Sequence, residues 1–302
     1  MPASAVIRLP PFVFEDTLPG YIGTLLAAGD APAITLDFER IKYFIPGAVV
    51  ATLAQVRHWR SQGQTVKFVN HDTNPVCGYL QRIDFFKHVG FELPEPGERH
   101  YAGGRFVPIE EIGDNLGRPE DIASKMAECV SPGGYLLNEP FQLVQYAGGE
   151  IVTNCKQHAK GAGFVSAQYS PKQDFARLAI ADCGRGIRRS FEENNSPHFR
   201  EGMADAEAIA TALRPRVSST THLPHAYGAS PNKGVGWCKN HSGICCSSPG
   251  EAGGGRTASK HRAADNLPVS AGFRAPSVLS PSSAMKSSTI SRCCIRPRPR
   301  SG

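Results

Sequence analysis

Three polar residues, Glu150, Asn154 and His158, are spaced four positions apart in the run EIVTNCKQHA. On an α-helix this spacing places their side chains along one face. A carboxylate there can take a proton from an attacking water or hydroxyl. The amide oxygen of an asparagine is a hard ligand, suited to Mg²⁺ bound beside phosphates. The spacing alone is weak, because a polar stripe is more often the solvated face of a helix.

A second group of polar and glycine residues lies in the run DCGRGI, which follows an apolar segment typical of a strand. The glycines Gly184 and Gly186 let a backbone approach a flat ligand closely. The carboxylate of Asp182 can accept a hydrogen bond from an exocyclic amine such as that of adenine. The alternative is a glycine-rich turn from a strand into a helix, with the aspartate as its cap.

The pattern of apolar residues predicts the elements that position these two groups. Residues 136–160 are predicted to form a long helix, weakened at Gly148 and Gly149 by about 1 kcal/mol each relative to alanine. Residues 164–169 and 175–181 are predicted to form a strand pair joined by a turn. The helix therefore carries the first group, and the second strand ends at the second group.

A helix with ExxxNxxxH, a strand pair and then DxGxGI resembles the N box and G1 box of the GHKL ATPases, in that order. The similarity is closest to the ATP-binding domains of histidine kinases and anti-sigma serine kinases, and it extends from Leu136 to Gly236. It implies an α/β sandwich of the GHKL (Bergerat) type, with ATP and Mg²⁺ as cofactors. The implied activity is that of an ATPase or protein kinase in signal transduction.

The resemblance also implies a role for each polar residue of the two motifs. Glu150 would be the general base and Asn154 the Mg²⁺ ligand. Asp182 would contact adenine, and His158 would line the phosphate side of the site. These roles come from the family and not from the spacing of the residues.

The glycines of the two motifs and of a third run are given roles by the same resemblance. Gly184 and Gly186 would shape the wall beside adenine. In the family a GxG sequence closes a mobile ATP lid, and its backbone amides meet the phosphates at a helix N-terminus. The run NKGVG matches this position, so Lys233, Gly234 and Gly236 are predicted to bind nucleotide.

The first third of the chain has an alternating α/β pattern. Strands are predicted over residues 33–38 and 65–69, and helices over 47–60 and 78–89, which favours parallel strands joined by right-handed crossovers. Residues 28–95 resemble a STAS-like domain, the small α/β module of anti-sigma-factor antagonists.

One departure from the STAS pattern bears on function. Phosphorylatable antagonists carry a serine at the turn into the first helix, whereas this turn reads FIPG, from Phe44 to Gly47. Without a hydroxyl, the module cannot accept phosphate there. We therefore expect residues 28–95 to be a docking domain for a regulatory protein partner.

The remaining segments complete the predicted organisation. Residues 1–27 are an N-terminal extension, and residues 96–132 are a connector with a short helix over 118–130. The ATP-binding domain is predicted over 133–237. Residues 238–302 are rich in Ser, Gly and Arg, where the family has an apolar-striped helix and further strands. We expect a disordered basic tail, either divergent or translated out of frame, and an incomplete C-terminus of the domain.

The charge of the chain is unevenly distributed. The net charge is +6 over 302 residues, but residues 238–302 carry +8 and the remainder −2. Basicity confined to the tail gives at most non-specific attraction to nucleic acid. No run has the ~18 apolar residues of a membrane helix, and no secretory signal is visible, so we expect a cytoplasmic protein without membrane contact.

Two functional readings stay open. In the first, the chain is an active Mg-ATP-dependent ATPase, or a kinase acting on a separate protein. A self-contained histidine kinase is not expected, because His71 and Asp72 lie in a turn-like run and not on a phosphoacceptor helix. In the second, the chain is a non-catalytic regulatory binding protein whose nucleotide site is incomplete.

Overall fold

The computed structural model describes residues 4–91, 93–94, 104–113, 119–131, 139–214, 217–219 and 290–295. These ranges form a mixed α/β architecture with a three-stranded parallel sheet and a four-stranded antiparallel sheet. A short parallel ribbon pairs β2 (Phe12–Val13) with β4 (Tyr43–Phe44). Among the helices of these ranges, none is both long and apolar enough to cross a membrane.

The parallel sheet has the strand order β1 (Ala5–Arg8), β3 (Ala33–Asp37) and β5 (Thr65–Val69). In the chain, α1 (Leu18–Leu26) follows β1, and α2 (Pro46–Ser61) follows β3. Ile34 and Leu36 are fully buried, whereas their neighbours in β3 are half-buried. This alternation is the pattern that predicted the strand, and the predicted parallel pairing of β3 with β5 is confirmed.

The antiparallel sheet has the strand order β6 (Phe106–Ile112), β7 (Gly163–Ser170), β8 (Phe175–Asp182) and β9 (Ile290–Ile295). The predicted strand pair is confirmed as β7 and β8, which pair antiparallel along their whole lengths. Two helices, α5 (Pro119–Val130) and α6 (Glu139–Asn154), pack together and contribute with these strands to a hydrophobic core.

Helix α2 connects the two sheets through one hydrophobic core. It contacts β5 of the parallel sheet and both β7 and β8 of the antiparallel sheet. Trp59, fully buried in α2, belongs to the same core as Phe164 of β7 and Ala181 of β8. Because α2 has neighbours on nearly every side, its apolar residues are not confined to one stripe. Pro46 begins the helix, where its missing N–H costs nothing.

Helix α6 carries the first predicted motif and is held close to α5. A Cβ atom added at Gly148 would lie 3.4 Å from the Cβ of Ala123, so the glycine permits a close approach of the two helices. Beyond Asn154 the chain continues as a π-helical turn, Cys155–Ala159, and Lys160 then adopts a φ of 52°. The helix predicted to end at residue 160 is therefore an α-helix followed by a wider turn.

The remaining helices lie in two pairs. The helix predicted over residues 78–89 is two shorter ones, α3 (Val76–Arg82) and α4 (Phe85–His88). Asp84 separates them with a φ of 68°. Beyond β8, α7 (Gly186–Glu193) packs with α8 (Asp205–Ala212) over a small core that includes Phe191 and Met203.

Several elements lie where the sequence predicted none. Strand β1 and helix α1 lie within residues 1–27, and β6 lies within residues 96–132. Strand β9 lies within the tail that was expected to be disordered, and its backbone pairs antiparallel with β8. The parallel sheet thus begins before residue 28, and the antiparallel sheet takes a strand from residues 290–295.

Candidate functional site

The two predicted motifs meet where the end of α6 lies against the turn that follows β8. Asp182, the last residue of β8, is only 3% exposed. Its Oδ1 accepts a hydrogen bond from the backbone N–H of Gly184 at 2.9 Å. The thiol of Cys155, in the π-helical turn, donates to Oδ2 over 3.7 Å. The carboxylate therefore touches both motifs at once.

Backbone hydrogen bonds fasten the end of the helical segment to this turn. The N–H of Arg185 donates to the carbonyl of Ala159 at 2.7 Å, and the N–H of Cys183 donates to the carbonyl of Ala162 at 3.1 Å. Carbonyls at the end of a helix lack intrahelical partners, so the turn supplies the donor that Ala159 needs.

Two glycines make this approach possible. A Cβ atom at Gly184 would overlap the carbonyl oxygen of Ala159 and lie 2.5 Å from its Cβ. A Cβ atom at Gly161 would lie 2.8 Å from the carbonyl oxygen of Cys183. Gly184, predicted to shape a ligand wall, is thus explained here by contact with the protein's own chain. Gly186 has a φ of 75°, in the region that favours glycine, and it begins α7.

Glu150 and Asn154 occupy the last turns of α6, and both are half-buried. Four positions apart on a regular α-helix, they lie along one face as the sequence predicted. Glu150 also lies one turn from Tyr146, whose phenol pKa is raised, first by burial and then by the negative charge of Glu150. The charge of Glu150 thus acts along this face of the helix.

His158 lies in the π-helical turn and not in the α-helix. Hydrogen bonds from i to i+5 widen such a turn, so His158 does not continue the α-helical stagger of Glu150 and Asn154. Burial lowers the pKa of its imidazole, and the positive charge of Arg185 lowers it further. The ring is therefore neutral at pH 7 and can contribute as a neutral donor or acceptor.

Arg185, the residue between the two glycines of the second motif, was not predicted from the sequence to belong to the site. Its side chain is buried, and within the described part of the chain its guanidinium makes three hydrogen bonds. Nε donates to the carbonyl of His158 at 2.8 Å, Nη1 to Glu193 at 2.7 Å and Nη2 to Ser190 at 3.1 Å. The only signal in the sequence is a basic residue in a glycine-rich turn, which usually indicates an exposed side chain.

Two cysteines, one within each motif, were also not predicted to belong to the site. Burial raises the pKa of Cys155 well above its usual value, and the charge of Asp182 raises it further. The thiol therefore stays protonated and can donate a hydrogen bond to the carboxylate. Burial likewise raises the pKa of Cys183, whose thiol lies 3.9 Å from Oε1 of the buried Gln55 in α2. Helix α2 thus reaches the second motif.

Three predicted residues, Lys233, Gly234 and Gly236, lie outside the described residues. In the described part of the chain, no group of three or more His, Cys, Asp or Glu residues could hold a metal ion. The predicted Mg²⁺ ligand Asn154 belongs to none of these residue types. Comparisons with models of protein families, with curated proteins and with solved structures find no match to this chain.

Proposed function

We propose that this chain binds Mg-ATP as a protein of the GHKL class and acts as an ATPase or protein kinase in regulation. One observation carries the proposal: the Cys155–Asp182 contact joins the helix that bears Glu150 and Asn154 to the turn that bears Gly184. Cys155 and Asp182 are 27 residues apart in the chain, and their contact supports the view that the two motifs form one site.

Asp182 is the proposed partner of the adenine amine. Its carboxylate accepts hydrogen bonds from the N–H of Gly184 and the thiol of Cys155, and an ionised carboxylate has about four lone-pair positions, so it is the kind of acceptor that an amine requires. An acceptor in a buried position selects bases that present an N–H₂ group. Guanine, which presents a carbonyl at the equivalent position, would leave the carboxylate facing another acceptor.

Asn154 and Glu150 are the proposed phosphate-side residues. The donor set fits the ion, because amide and carboxylate oxygens are hard ligands and Mg²⁺ keeps several of its own waters. Bound Mg²⁺ would neutralise charge on the phosphates. Asn154 would hold the ion by its amide oxygen, and Glu150 would take a proton from the attacking water or partner hydroxyl. His158, neutral at pH 7, would add a hydrogen-bonding group without adding charge.

The proposal extends to the first third of the chain and to the location of the protein. Residues 28–95 are proposed to be a STAS-like docking domain for a regulatory protein, without phosphoryl transfer at Phe44 to Gly47. We propose a cytoplasmic location and ATP as the small-molecule ligand.

Calorimetric titration with Mg-ATP tests the proposed adenine contact. We expect Asp182→Asn to weaken binding by about tenfold to a hundredfold, since it removes a charged acceptor. The matched control is Asp30→Asn, the same change at an exposed position, which should bind like the wild type. Absence of binding by the wild-type protein, or equal binding by all three, would refute the proposed function.

Phosphate release separates the active protein from the non-catalytic alternative. If Glu150 is the general base, Glu150→Gln lowers the rate of release by about 10²–10⁴-fold. Binding that depends on Asp182, without phosphate release and without transfer to a partner protein, would favour a regulatory binding protein.

A further inference from the structure

The buried guanidinium of Arg185 connects three parts of the site. It bonds the carbonyl of His158 in the π-helical turn, and the side chains of Glu193 and Ser190 in α7. Its own backbone N–H bonds Ala159. The side chain of Arg185 is 7% exposed, so the lost hydration of its charge must be replaced by these contacts.

Among the described residues, the bond to the His158 carbonyl is the contact of this guanidinium that crosses to the segment following Asn154. The carbonyl of His158 lies at the end of the helical segment, where carbonyls lack intrahelical donors. The partial negative charge at that end also favours a nearby cation. Arg185 thus holds the end of the segment by a directional bond and by charge.

Arg185 shares Glu193 with two other cations, although its own bond contributes most to lowering the pKa of that carboxylate. Glu193 also forms ion pairs with Arg189 and with Lys160, and the three cationic partners together lower its pKa to about 2. Arg189 is 41% exposed and also pairs with Glu193, one turn further along α7. The two arginines therefore share a carboxylate, and only Arg185, which precedes α7, bonds the His158 carbonyl.

We propose that Arg185 is a positioning residue that sets the distance between the phosphate-side residue Asn154 and the adenine-side residue Asp182. This inference rests on the proposed function and names a residue to which that function assigns no role. Asn154 ends α6, and His158 lies in the π-helical turn that follows directly, so we expect release of the His158 carbonyl to shift Asn154. Asp182 keeps its bond to the N–H of Gly184, which does not involve the guanidinium.

The consequence is a selective loss of Mg²⁺-dependent affinity. Arg185→Lys keeps the charge beside Glu193 but lacks the planar fork that reaches three acceptors. We expect its affinity for Mg-ATP to fall about tenfold, the effect of one charged hydrogen bond, while its affinity for Mg²⁺-free ADP changes much less. A general loosening of the fold would lower the affinity for both ligands by the same factor.

The experiment is a calorimetric titration of the full chain with Mg-ATP, and with ADP in the presence of EDTA. It compares the wild type, Arg185→Lys and the matched control Arg189→Lys, which should bind both ligands like the wild type. If Arg185→Lys does not fold, Ser190→Ala replaces it, since that change removes one acceptor of the same guanidinium. We expect Ser190→Ala to lower the affinity for Mg-ATP more than that for ADP, as Arg185→Lys does, but by a smaller factor.

Two negative results are distinguishable. A wild-type protein that binds neither ligand overturns the proposed function and this inference together. The second result is a wild-type protein that binds both ligands. If the Arg185 variant then loses affinity for both ligands equally, or for neither, only the role of Arg185 is overturned.

Discussion

Gly184 lies so close to Ala159 that no side chain fits between them. A Cβ atom on Gly184 would overlap the backbone carbonyl oxygen of Ala159, which itself accepts a hydrogen bond from Arg185. The obstacle is backbone and not the end of a flexible side chain, so neither partner can move aside cheaply. This contact is what brings the DCGRGI turn against the end of the EIVTNCKQHA segment.

We therefore expect Gly184→Ala to destabilise the protein by about 3 kcal/mol, the cost of overpacking a close contact. Gly23→Ala is the matched control, because Gly23 is an exposed glycine of α1 with no atom within 4 Å of an added Cβ. It should be neutral or stabilise by up to about 1 kcal/mol. Urea unfolding measures both free energies. Equal stability of the two variants would show that the close approach is absent.

The contact between α1 and α2 contains a buried pair of hydroxyl groups. Removing one hydroxyl should destabilise the protein more than removing the other. Thr52 donates to the carbonyl of Ala48 at 2.7 Å, so the phenol of Tyr21 donates to Thr52 at 2.5 Å. Tyr21→Phe removes one bond and should cost about 1 kcal/mol, whereas Thr52→Val strands a buried phenol and should cost about 1–3 kcal/mol. The double variant should be more stable than Thr52→Val alone. Strictly additive effects in this cycle, measured by chemical unfolding, would contradict the pairing.

A nearly buried ion pair ties the segment before α1 to the antiparallel sheet. Nε of Arg177 in β8 lies 2.9 Å from Glu15, and the side chain of Arg177 is 9% exposed. Glu15→Gln removes this charged partner from a guanidinium that is nearly buried, and should cost about 1.5–3 kcal/mol. Glu201→Gln, at an exposed position, should change stability by less than about 0.5 kcal/mol. A Glu15 variant as stable as the Glu201 variant, by urea unfolding, would mean that the pair is solvated.

The elements that the sequence predicted are those whose own residues carry a clear period. Ile34 and Leu36 alternate in β3, and the apolar residues of α2 are enough to predict a helix even though it is buried nearly all round. Helix α1 was missed because Gly20 and Gly23 lower its intrinsic propensity. Its packing supplies the stability instead, since Tyr21 and three other residues of this helix are buried.

Strand β6 was missed for a different reason. Pro108 lies in its middle, and proline removes a donor from the hydrogen-bond ladder. The strand accommodates it at an irregularity, where the register with β7 shifts between Val107 and Glu110. A long-range pairing of this kind leaves no local signal, and the pairing of residues 290–295 with β8 leaves none either.

In the candidate site, the spacing of Glu150 and Asn154 and the position of Asp182 at a strand end were predicted. The contacts that join the two motifs were not. Whether a cysteine at position 155 or an arginine at position 185 is buried depends on which segments pack against it, and composition favours an exposed arginine. The π-helical turn that displaces His158 from the predicted face depends likewise on the contacts of the folded chain, because the four-residue spacing of the motif indicates a regular α-helix.

The lowered pKa of His158 predicts how stability depends on pH. Its ordinary pKa is 6.5, and in the folded protein burial and the charge of Arg185 lower it. The unfolded chain therefore binds the proton at a higher pH than the folded protein does, so stability rises with pH through this window. Neutral His158 makes its full contribution to the free energy of unfolding above pH 6.5. That contribution decreases as the pH falls towards the lower pKa of the folded state.

His158→Gln removes this titration while keeping a polar side chain. Between pH 6.5 and pH 5 its free energy of unfolding should fall less steeply than that of the wild type, as measured by urea unfolding at several pH values. His58→Gln is the control, because it removes a histidine of α2 that is remote in sequence from the π-helical turn. Its pH dependence should stay steeper than that of His158→Gln. If the His158 variant and the wild type had the same slope, the imidazole would titrate at the same pH in the folded and unfolded states, and its half-buried position beside Arg185 would be wrong.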